Sequence, residues 1–429
     1  MITLPKSKSI SARALIIKAL YGGHCDLLGL SDCEDTQVLQ AALRNNPATI
    51  DVAGAGTAMR FLTAYYAMRV GEEHVLSGNA RMHERPIGPL VDALRSIGAD
   101  ITYEGEVGYP PLRIRGRRLK GGIVRLSGST SSQFVSALLM IAPYVERGIT
   151  LMLRGRIASK PYIRMTLQMM QQFGAQCQWT APLQIDVLPS PYQRPLPFPI
   201  EPDWTAASYW YTVVALAKDA KYTLTLKGLT PSTLQGDSNI TAFFLALGVN
   251  TTYTPEGAVL SKIPPVEGGM LRYNLSENPD LAPTLIVAAI ALGRKFYFAG
   301  LANLRLKETD RIAALQAELA RLKVTLQEPM TGVLTYDPET DGTLPRTTSA
   351  TIDAHGDHRI AMAFAPLMLR YKSLKISTPE VVSKSYPDFW QALQSVLPTP
   401  KATTRTKTAD KAEEKPKRTT RKATAKTKA

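Results

Sequence analysis

The chain has few cysteines and no long apolar run, and each shortage excludes a class of protein. The three cysteines among 429 residues form neither a CxxC pair nor an evident disulfide framework. This usage is typical of a reducing compartment, and we expect the protein to be cytoplasmic. The longest apolar stretches, such as residues 284–293, are about half of what a membrane span needs, so we expect no membrane partner. Lys18 interrupts the short apolar run after Arg13, so the first residues do not indicate a signal peptide.

Histidine is also scarce, and this argues against metal and triad chemistry. No Ser-His-Asp arrangement can be argued from five scattered histidines. His355 and His358 are not surrounded by Cys, His or carboxylate residues at ligand spacing. The GAGTAM segment at 54–59 resembles part of a nucleotide-binding loop, but it lacks the Walker lysine and the third Rossmann glycine. The sequence therefore predicts no metal and no cofactor.

Positive charge is abundant but unevenly spread. The net charge is +15, and residues 401–429 account for +8 of it with eleven Lys or Arg and three acidic residues. This segment has no aromatic residue and no apolar period, so residues 398–429 are predicted to be a disordered tail that binds nucleic acid at most weakly. The positive excess elsewhere suits small anionic substrates, and it equally suits a generally basic surface.

One pattern recurs six times: a short polar stretch followed by an apolar helical run. Its copies begin at Lys8, Gly56, Ser131, Trp204, Asp280 and Asp357, with gaps of 48, 75, 73, 76 and 77 residues. A second helical pattern follows each copy, near Asp35, Pro86, Pro161, Asp237, Asp310 and Pro387. Strand-like segments such as GADITY then follow a glycine that suits a helix C-cap. We therefore expect an α/β fold of six repeated units in two similar domains, with a shortened first unit.

The helix starts carry an unusual set of cations, hydroxyls and carboxylates. Helix N-termini attract phosphates and carboxylates, and cations and hydroxyls suit such ligands. Taken singly, Ser131, Ser132 and Asp280 are also ordinary N-cap residues. The KETDR segment at 307–311 could equally form a solvated salt-bridge face. The joint pattern, more than any single motif, favours an anion site shared by both domains.

Nine segments, taken in order, resemble the motifs of the 5-enolpyruvylshikimate-3-phosphate synthase family. They are LPKSKSISARALI, GAGTAMRFL, RMHERPIGPLVDALRSIGA, YPPLRI, GSTSSQFVSALLMIAP, SKPYI, LKETDRI, GDHRIAMAF and SKSYPDFW. The resemblance runs from about residue 3 to residue 395. It implies two domains of three βαβαββ units each, with the active site in the cleft between them. We expect one domain at 8–200, mainly on the shikimate 3-phosphate side. The other would comprise 1–7 and 201–397, mainly on the phosphoenolpyruvate side.

The resemblance also implies the reaction: transfer of the enolpyruvyl group of phosphoenolpyruvate to the 5-hydroxyl of shikimate 3-phosphate, with release of phosphate. The implied shikimate 3-phosphate ligands are Lys8, Ser9, Arg13, Ser131, Ser132, Gln133, Ser159, Tyr162, Asp280, Asn303 and Lys307. The implied phosphoenolpyruvate ligands are Lys8, Gly56, Thr57, Arg85, Gln133, Arg311, Asp357, Arg359 and Lys384. The implied acid–base groups are Lys8, Asp280 and Glu308. Asp280 would take the proton of the attacking hydroxyl, and Glu308 with Lys8 would serve the methylene carbon.

The resemblance further implies a monomer that glyphosate inhibits in competition with phosphoenolpyruvate. The chain departs from the family pattern at Lys6, Gly54, Phe61 and His83, where Gly, Asn, Pro and Lys are usual. These changes concern substrate affinity and the shape of the first loop more than the reaction class. The related transfer to UDP-N-acetylglucosamine uses a reactive Cys in an Arg- and Gly-containing loop, and the matching stretch at 82–85 has none.

Overall fold

The helices begin at or close to the recurring polar markers. The computed structural model describes residues 1–397 except 130, 194–196 and 347–348, together with Ala423 and Ala425. Its α-helices are α1 Lys8–Tyr21, α2 Glu34–Asn45, α3 Gly56–Ala67, α4 Ala80–His83, α5 Gly88–Ser96, α6 Ser132–Ile141, α7 Lys160–Gln172, α8 Trp204–Leu216, α9 Ile240–Leu245, α10 Ala282–Ala291, α11 Arg311–Arg321, α12 His358–Phe364 and α13 Phe389–Gln394. The marker at Asp280 lies in a short 3-10 turn, Pro279–Leu281, just before α10.

The strands lie between these helices. They are β1 Ile2–Thr3, β2 Leu27–Leu28, β3 Thr49–Asp51, β4 Glu73–Ser77, β5 Asp100–Tyr103, β6 Leu112–Arg115, β7 Gly122–Ser127, β8 Ile149–Arg154, β9 Cys177–Ala181, β10 Gln184–Val187, β11 Phe198–Pro199, β12 Thr223–Lys227, β13 Val249–Thr254, β14 Gly257–Lys262, β15 Leu271–Asn274, β16 Phe296–Ala299, β17 Gln327–Met330, β18 Val333–Tyr336, β19 Ser349–Ile352 and β20 Ser373–Ile376. Helices and strands alternate along the chain, so the predicted α/β class is confirmed.

Four sheets share one strand order. Their orders are β3-β4-β6-β5, β7-β8-β10-β9, β1-β12-β14-β13 and β15-β16-β18-β17. In each, the first pair is parallel and the other pairs are antiparallel. Within the described ranges the sheets β2/β11 and β19/β20 have two strands each, and both pairs are parallel. Six equal units would need four strands in each sheet. The gap of 48 residues between the first two copies of the pattern predicts a reduced first sheet. The gap before the last copy is of ordinary length and does not predict that the last sheet is reduced. There the chain passes from β20 toward α13 without forming a hairpin.

The buried side chains of the compact unit Met1–Leu397 fall into two hydrophobic clusters. One cluster contains residues between Ile10 and Ile200. The other contains Ile2, Leu4 and residues from Trp204 to Leu393. The N-terminal strand β1 therefore packs with the second half of the chain, because it pairs with β12.

Residues 5–7 and residues 201–203 lie side by side where the chain passes between the two hydrophobic clusters. Lys6 and Pro202 form an antiparallel bridge. The Ser7 amide donates to the Glu201 carbonyl at 2.8 Å, and the Asp203 amide donates to the Pro5 carbonyl at 2.9 Å. The chain thus crosses between the clusters at adjacent points.

Among the described residues, no helix is long and apolar enough to cross a membrane. The predicted disordered tail at 398–429 lies outside the described residues, apart from Ala423 and Ala425.

Candidate active site

One cavity of about 210 Å³ gathers the predicted site residues from distant parts of the sequence. Its walls include Lys8, Ser9, Arg13, Gly56, Thr57, Arg85, Ser131, Ser132, Gln133, Ser159, Tyr162, Asp280, Asn303, Lys307, Glu308, Arg311 and Arg359. Lys384 lines an adjoining cavity that shares Arg85 and Glu308 with the first. Asp357 lines neither cavity and is fully buried behind Arg311.

Helix capping accounts for some of these residues but not for others. The Ser131 hydroxyl accepts from the Gln133 amide at the start of α6, and the Asp357 carboxylate accepts from the Arg359 amide at the start of α12. Both are N-caps as well as site residues. Asp280 caps no helix, since α10 begins at Ala282 and its N-cap position is Leu281. The carboxylate of Asp280 is therefore free to contact the cations of the cavity.

Arg311 is the centre of a buried ion network. Its guanidinium donates to Asp357 at 2.7 and 3.3 Å, to Glu308 at 2.7 Å and to Asp280 at 3.1 Å. The Arg311 side chain is 1% exposed, so the KETDR segment is not a solvated salt-bridge face. Removing one partner of a buried pair typically costs about 3–5 kcal/mol, because the other charge is left uncompensated. This network therefore fixes the carboxylates of the cavity relative to one another.

Three cations surround the carboxylate of Asp280. Arg359 Nη2 lies 2.8 Å from Oδ2, and Arg311 Nη1 and Lys307 Nζ lie 3.1 and 3.4 Å from Oδ1. Burial alone would raise the pKa of Asp280, but these positive charges hold it well below its usual range. Asp280 is thus ionised and can only accept hydrogen bonds.

Lys8 shares the carboxylate of Asp35 with Lys384. Lys8 Nζ lies 2.9 Å from Asp35 Oδ2, and Lys384 Nζ lies 3.6 Å from Oδ1. Burial acts to lower the pKa of Lys8, but the negative charges of Asp35 and Glu308 raise it above its ordinary value. Lys8 is therefore protonated at neutral pH.

Glu308 is ionised, whereas the neighbouring His358 is neutral. Burial would raise the pKa of Glu308, but Arg311, Arg85 and Lys384 depress it well below its ordinary value. Burial and the charges of Lys8 and Arg359 depress the pKa of His358 well below its usual range, so its ring is neutral. Neither ring nitrogen of His358 has a hydrogen-bond partner among the described residues, although the ring is buried against the cavity.

Arg85 approaches the backbone at the start of α3. A Cβ on Gly56 would lie 2.7 Å from both terminal nitrogens of the Arg85 guanidinium, so only glycine leaves room for it there. The Arg85 side chain is buried, and its Nε has no hydrogen-bond partner within the described ranges. Arg60, which donates to the Gly56 and Pro86 carbonyls at 3.2 Å, adds a second buried cation. Two buried cations beside a helix N-terminus have the charge that suits an anionic ligand.

The lining of the cavity also carries hydroxyl and amide groups. Gln133 Nε2 donates to Thr57 Oγ1 at 2.9 Å, and the Tyr162 hydroxyl donates to Asp237 at 3.2 Å. The Ser159 amide donates to the Ser276 carbonyl at 2.8 Å and so links the two halves of the chain.

Arg13, buried in the same wall, donates to Thr166 Oγ1 at 2.7 Å and to Ser136 Oγ at 3.1 Å. Its guanidinium lies 5.4 Å from the centre of the Phe61 ring. The residue that departs from the family pattern at 61 therefore supports a predicted ligand by a cation–π contact.

Asp35, Arg60 and His358 line the cavity but were not predicted as site residues from the sequence, and neither was Asp237, which accepts from the Tyr162 hydroxyl. Arg60 and His358 lie inside quoted motifs, His358 directly between the predicted ligands Asp357 and Arg359, and their motif membership was the available signal. Asp35 and Asp237 were identified only as helix markers, because nothing local indicates that they face Lys8 and Tyr162. No group of His, Cys, Asp and Glu among the described residues could hold a metal ion.

Comparison with known proteins gives one consistent family. Residues 40–393 match the family model of EPSP synthase (3-phosphoshikimate 1-carboxyvinyltransferase). The 3-phosphoshikimate 1-carboxyvinyltransferase of Bacteroides fragilis is 47% identical over 397 residues, which cover 92% of this chain and 94% of the relative. The enzyme of the same name from Bordetella pertussis is 36% identical over 433 aligned positions, covering 92% and 95%.

Solved structures share the fold. The EPSP synthase of Acinetobacter baumannii superposes with a TM-score of 0.71 at 21% identity, covering 92% of this chain and 94% of that one. The enolpyruvyl transferase NikO of Streptomyces tendae gives a TM-score of 0.68 at 14% identity with the same coverage. At 21% and 14% identity the solved structures show the similarity of the fold alone. The family model and the relatives in sequence show the family. The chain belongs to the EPSP synthase (3-phosphoshikimate 1-carboxyvinyltransferase) family.

Proposed function

We propose that the cavity around Lys8, Asp280 and Glu308 is the active site in which this enolpyruvyl transferase acts. The reaction moves the enolpyruvyl group of phosphoenolpyruvate to the 5-hydroxyl of shikimate 3-phosphate and releases phosphate. The observation that carries the proposal is the convergence of buried cations on one cavity together with ionised carboxylates. Both substrates are anionic, and buried guanidinium and ammonium groups bind such anions and stabilise a departing phosphate.

The two substrates would occupy different walls of the cavity. Phosphoenolpyruvate would bind the cations Arg85, Arg311, Arg359 and Lys384 beside Gly56. Shikimate 3-phosphate would bind the wall that carries Ser131, Ser159, Tyr162, Asn303 and Lys307. Lys8 and Gln133 line the same cavity and belong to both implied ligand sets, so they would contact both ligands. Arg85 Nε and Asn303 Oδ1, which have no hydrogen-bond partner among the residues that the structure describes, support this reading, because buried polar groups without a partner suit a ligand.

The charge states suggest how the protons move. Protonated Lys8 would donate to the methylene carbon of phosphoenolpyruvate. Ionised Asp280 would accept the hydrogen bond of the attacking hydroxyl. In the unliganded cavity three cations keep the pKa of Asp280 low, which makes it a weak base. Bound substrate anions would draw Arg359, Arg311 and Lys307 toward themselves, so the pKa of Asp280 would rise in the complex. Glu308 would take up the methyl proton in the elimination step.

The two hydrophobic clusters support a further proposal, that the chain consists of two domains at 8–200 and at 1–7 with 201–397. The crossing segments at 5–7 and 201–203 would then connect them. Each domain would contribute three of the six repeated units, two of them complete. Ligands that contact both halves of the cavity would favour a closed arrangement.

Identification of the product tests the proposed function. Purified protein incubated with phosphoenolpyruvate and shikimate 3-phosphate should yield shikimate 3-phosphate with a carboxyvinyl ether on its 5-oxygen, as seen by mass spectrometry and proton NMR. Unchanged substrates at micromolar enzyme after hours would contradict the proposal. Transfer to UDP-N-acetylglucosamine instead would support the rival enolpyruvyl transfer.

A further inference from the structure

Glu318 is a buried carboxylate outside the lining of the cavity. It lies near the C-terminal end of α11, and its side chain is 0% exposed. It accepts from His355 Nε2 at 2.8 Å, from the Asp353 amide at 2.9 Å and from Arg321 Nη1 at 3.3 Å. Burying a carboxylate is costly unless it is well hydrogen-bonded. Two of its three donors belong to a single loop, residues 353–357.

This loop has an unusual backbone. His355 has φ 50° and Gly356 has φ 64°, so two consecutive residues lie in the left-handed region. Positive φ is uncommon for residues other than glycine, although histidine is among the more tolerant, so contacts around His355 help to hold it. The His355 amide donates to Asp353 Oδ1 at 2.8 Å, and Ser377 Oγ donates to the same atom at 2.9 Å. The contact of His355 with Glu318 completes this set of restraints from the side of α11.

The loop ends at the cations of the cavity. Asp357 follows it directly, accepts from the Arg359 amide at the start of α12, and pairs with Arg311 at the first residue of α11. Helix α11 therefore contacts the loop twice, through Arg311 at its start and through Glu318 two turns later. One contact alone would let the loop pivot about the Arg311–Asp357 pair. Two contacts fix both the position and the direction of the loop.

We propose that Glu318 and His355 are positioning residues for the phosphoenolpyruvate half of the site. They hold the 353–357 loop against α11, so that Arg311 and Arg359 meet the substrate anion at a fixed distance from each other. Glu318 lines neither cavity, and His355 lines only the adjoining one, so both would act through the loop. The inference rests on the proposed function, because it assigns these two cations to phosphoenolpyruvate. Of the residues proposed for shikimate 3-phosphate, Ser131, Ser159 and Tyr162 lie at the starts of α6 and α7, away from this loop in the sequence. Asp280 pairs with Arg311 and Arg359 and links that wall to the loop.

Steady-state kinetics of three variants test the proposal. Glu318→Ala removes the acceptor. His355→Asn keeps a residue that tolerates the left-handed conformation but is too short to reach Glu318. Both should raise the KM for phosphoenolpyruvate by about tenfold or more, because small misplacements of positioning groups have large effects. The KM for shikimate 3-phosphate should stay within about twofold. Glu318→Gln retains a carbonyl for the Asp353 amide and an amide for the histidine ring, and it should recover most of the loss.

Glu72 offers a matched control. It accepts from His74 Nε2 at 3.1 Å and from Arg69 at 3.0 Å, so it is a similar Glu–His–Arg arrangement, and it lies outside the cavity lining. Glu72→Ala should lower the melting temperature and leave both KM values unchanged. A purely structural role for Glu318 would give the same result: a lower melting temperature or a lower kcat with both KM values intact.

The outcomes separate this proposal from the proposed function. Unchanged KM for phosphoenolpyruvate in folded Glu318→Ala and His355→Asn, with an active wild type, overturns the positioning role alone. If Glu318→Ala does not fold, the more exposed His355→Asn decides the question by the same KM comparison. A wild type that releases no phosphate with both substrates present overturns the proposed function and this inference with it.

Discussion

The ammonium group of Lys384 lies 2.6 Å from the carbonyl oxygen of Gly54, although 330 positions separate the two residues. A Cβ on residue 54 would come within 2.8 Å of that nitrogen. The absence of a side chain at 54 therefore lets Lys384 lie against the loop that precedes α3. The asparagine usual in the family at this position could not be accommodated without displacing the lysine, so the departure at Gly54 is coupled to the placement of a proposed phosphoenolpyruvate ligand.

The first prediction follows from this contact. Gly54→Ala should displace Lys384 and raise the KM for phosphoenolpyruvate by about tenfold, since a hydrogen bond to a charged group is worth about 1.5–3 kcal/mol. Gly105→Ala is the matched control, because its Cβ would meet only Pro111 Cδ at an ordinary 3.6 Å. Equal KM values for wild type and both variants would show that the Lys384 position does not depend on residue 54.

Inhibition by glyphosate provides the second prediction. We expect competition with phosphoenolpyruvate, because the inhibitor's phosphonate and carboxylate suit the same cations. In Gly56→Ala the added Cβ would lie 2.7 Å from the terminal nitrogens of Arg85 and would displace its guanidinium. This should weaken binding of the slightly longer inhibitor more than binding of the substrate. The measurement is the inhibition constant against varied phosphoenolpyruvate at saturating shikimate 3-phosphate. A wild type that is insensitive at millimolar glyphosate, or an unchanged inhibition constant in Gly56→Ala, contradicts this reading.

The third prediction concerns the acid–base groups. Asp280→Ala and Glu308→Ala should each lower kcat by roughly 10²–10⁴, the usual loss for a positioned acid or base. Both residues also pair with Arg311, so the melting temperature must be measured alongside, and Asp280→Asn serves as the variant of matched shape. Near-normal kcat in folded forms of both alanine variants would remove the two carboxylates from the proposed chemistry.

The tail gives the fourth prediction. Deleting residues 401–429 should leave kcat/KM within about twofold, because the composition of this segment predicts no positioned group. A loss of tenfold or more would mean that the tail takes part in the site or in assembly. Any mobility shift of DNA by the full-length chain should weaken with salt and vanish on truncation, since a basic tail binds phosphate backbones by charge alone.

Local signals in the sequence were sufficient to predict several helix starts, but not the partners of the polar side chains beside them. The helix starts at Lys8, Gly56 and Trp204 were predictable to the residue, because a polar marker precedes a long apolar run at each. The cap role of Ser131 was open from the sequence and needed the backbone geometry. Asp280 shows the limit most clearly. Its residue type suits an N-cap, whereas its three cationic partners come from positions 307, 311 and 359.

Long-range contacts explain most of what the sequence could not predict. The contacts of Gly54 with Lys384 and of Arg13 with Phe61 involve residues that depart from the family pattern, and each is defined only once distant segments are packed. From the sequence, Phe61 was one of the departures expected to affect substrate affinity and the shape of the first loop. In the structure its ring is buried beneath the Arg13 guanidinium and supports that side chain.

Phosphate release from phosphoenolpyruvate, measured with and without shikimate 3-phosphate, tests the central claim most directly. We expect steady release only when both compounds are present, with one phosphate formed for each shikimate 3-phosphate consumed, and its loss in Asp280→Ala. Release that is independent of shikimate 3-phosphate, or no release at saturating concentrations of both, would contradict the assignment of this cavity to enolpyruvyl transfer.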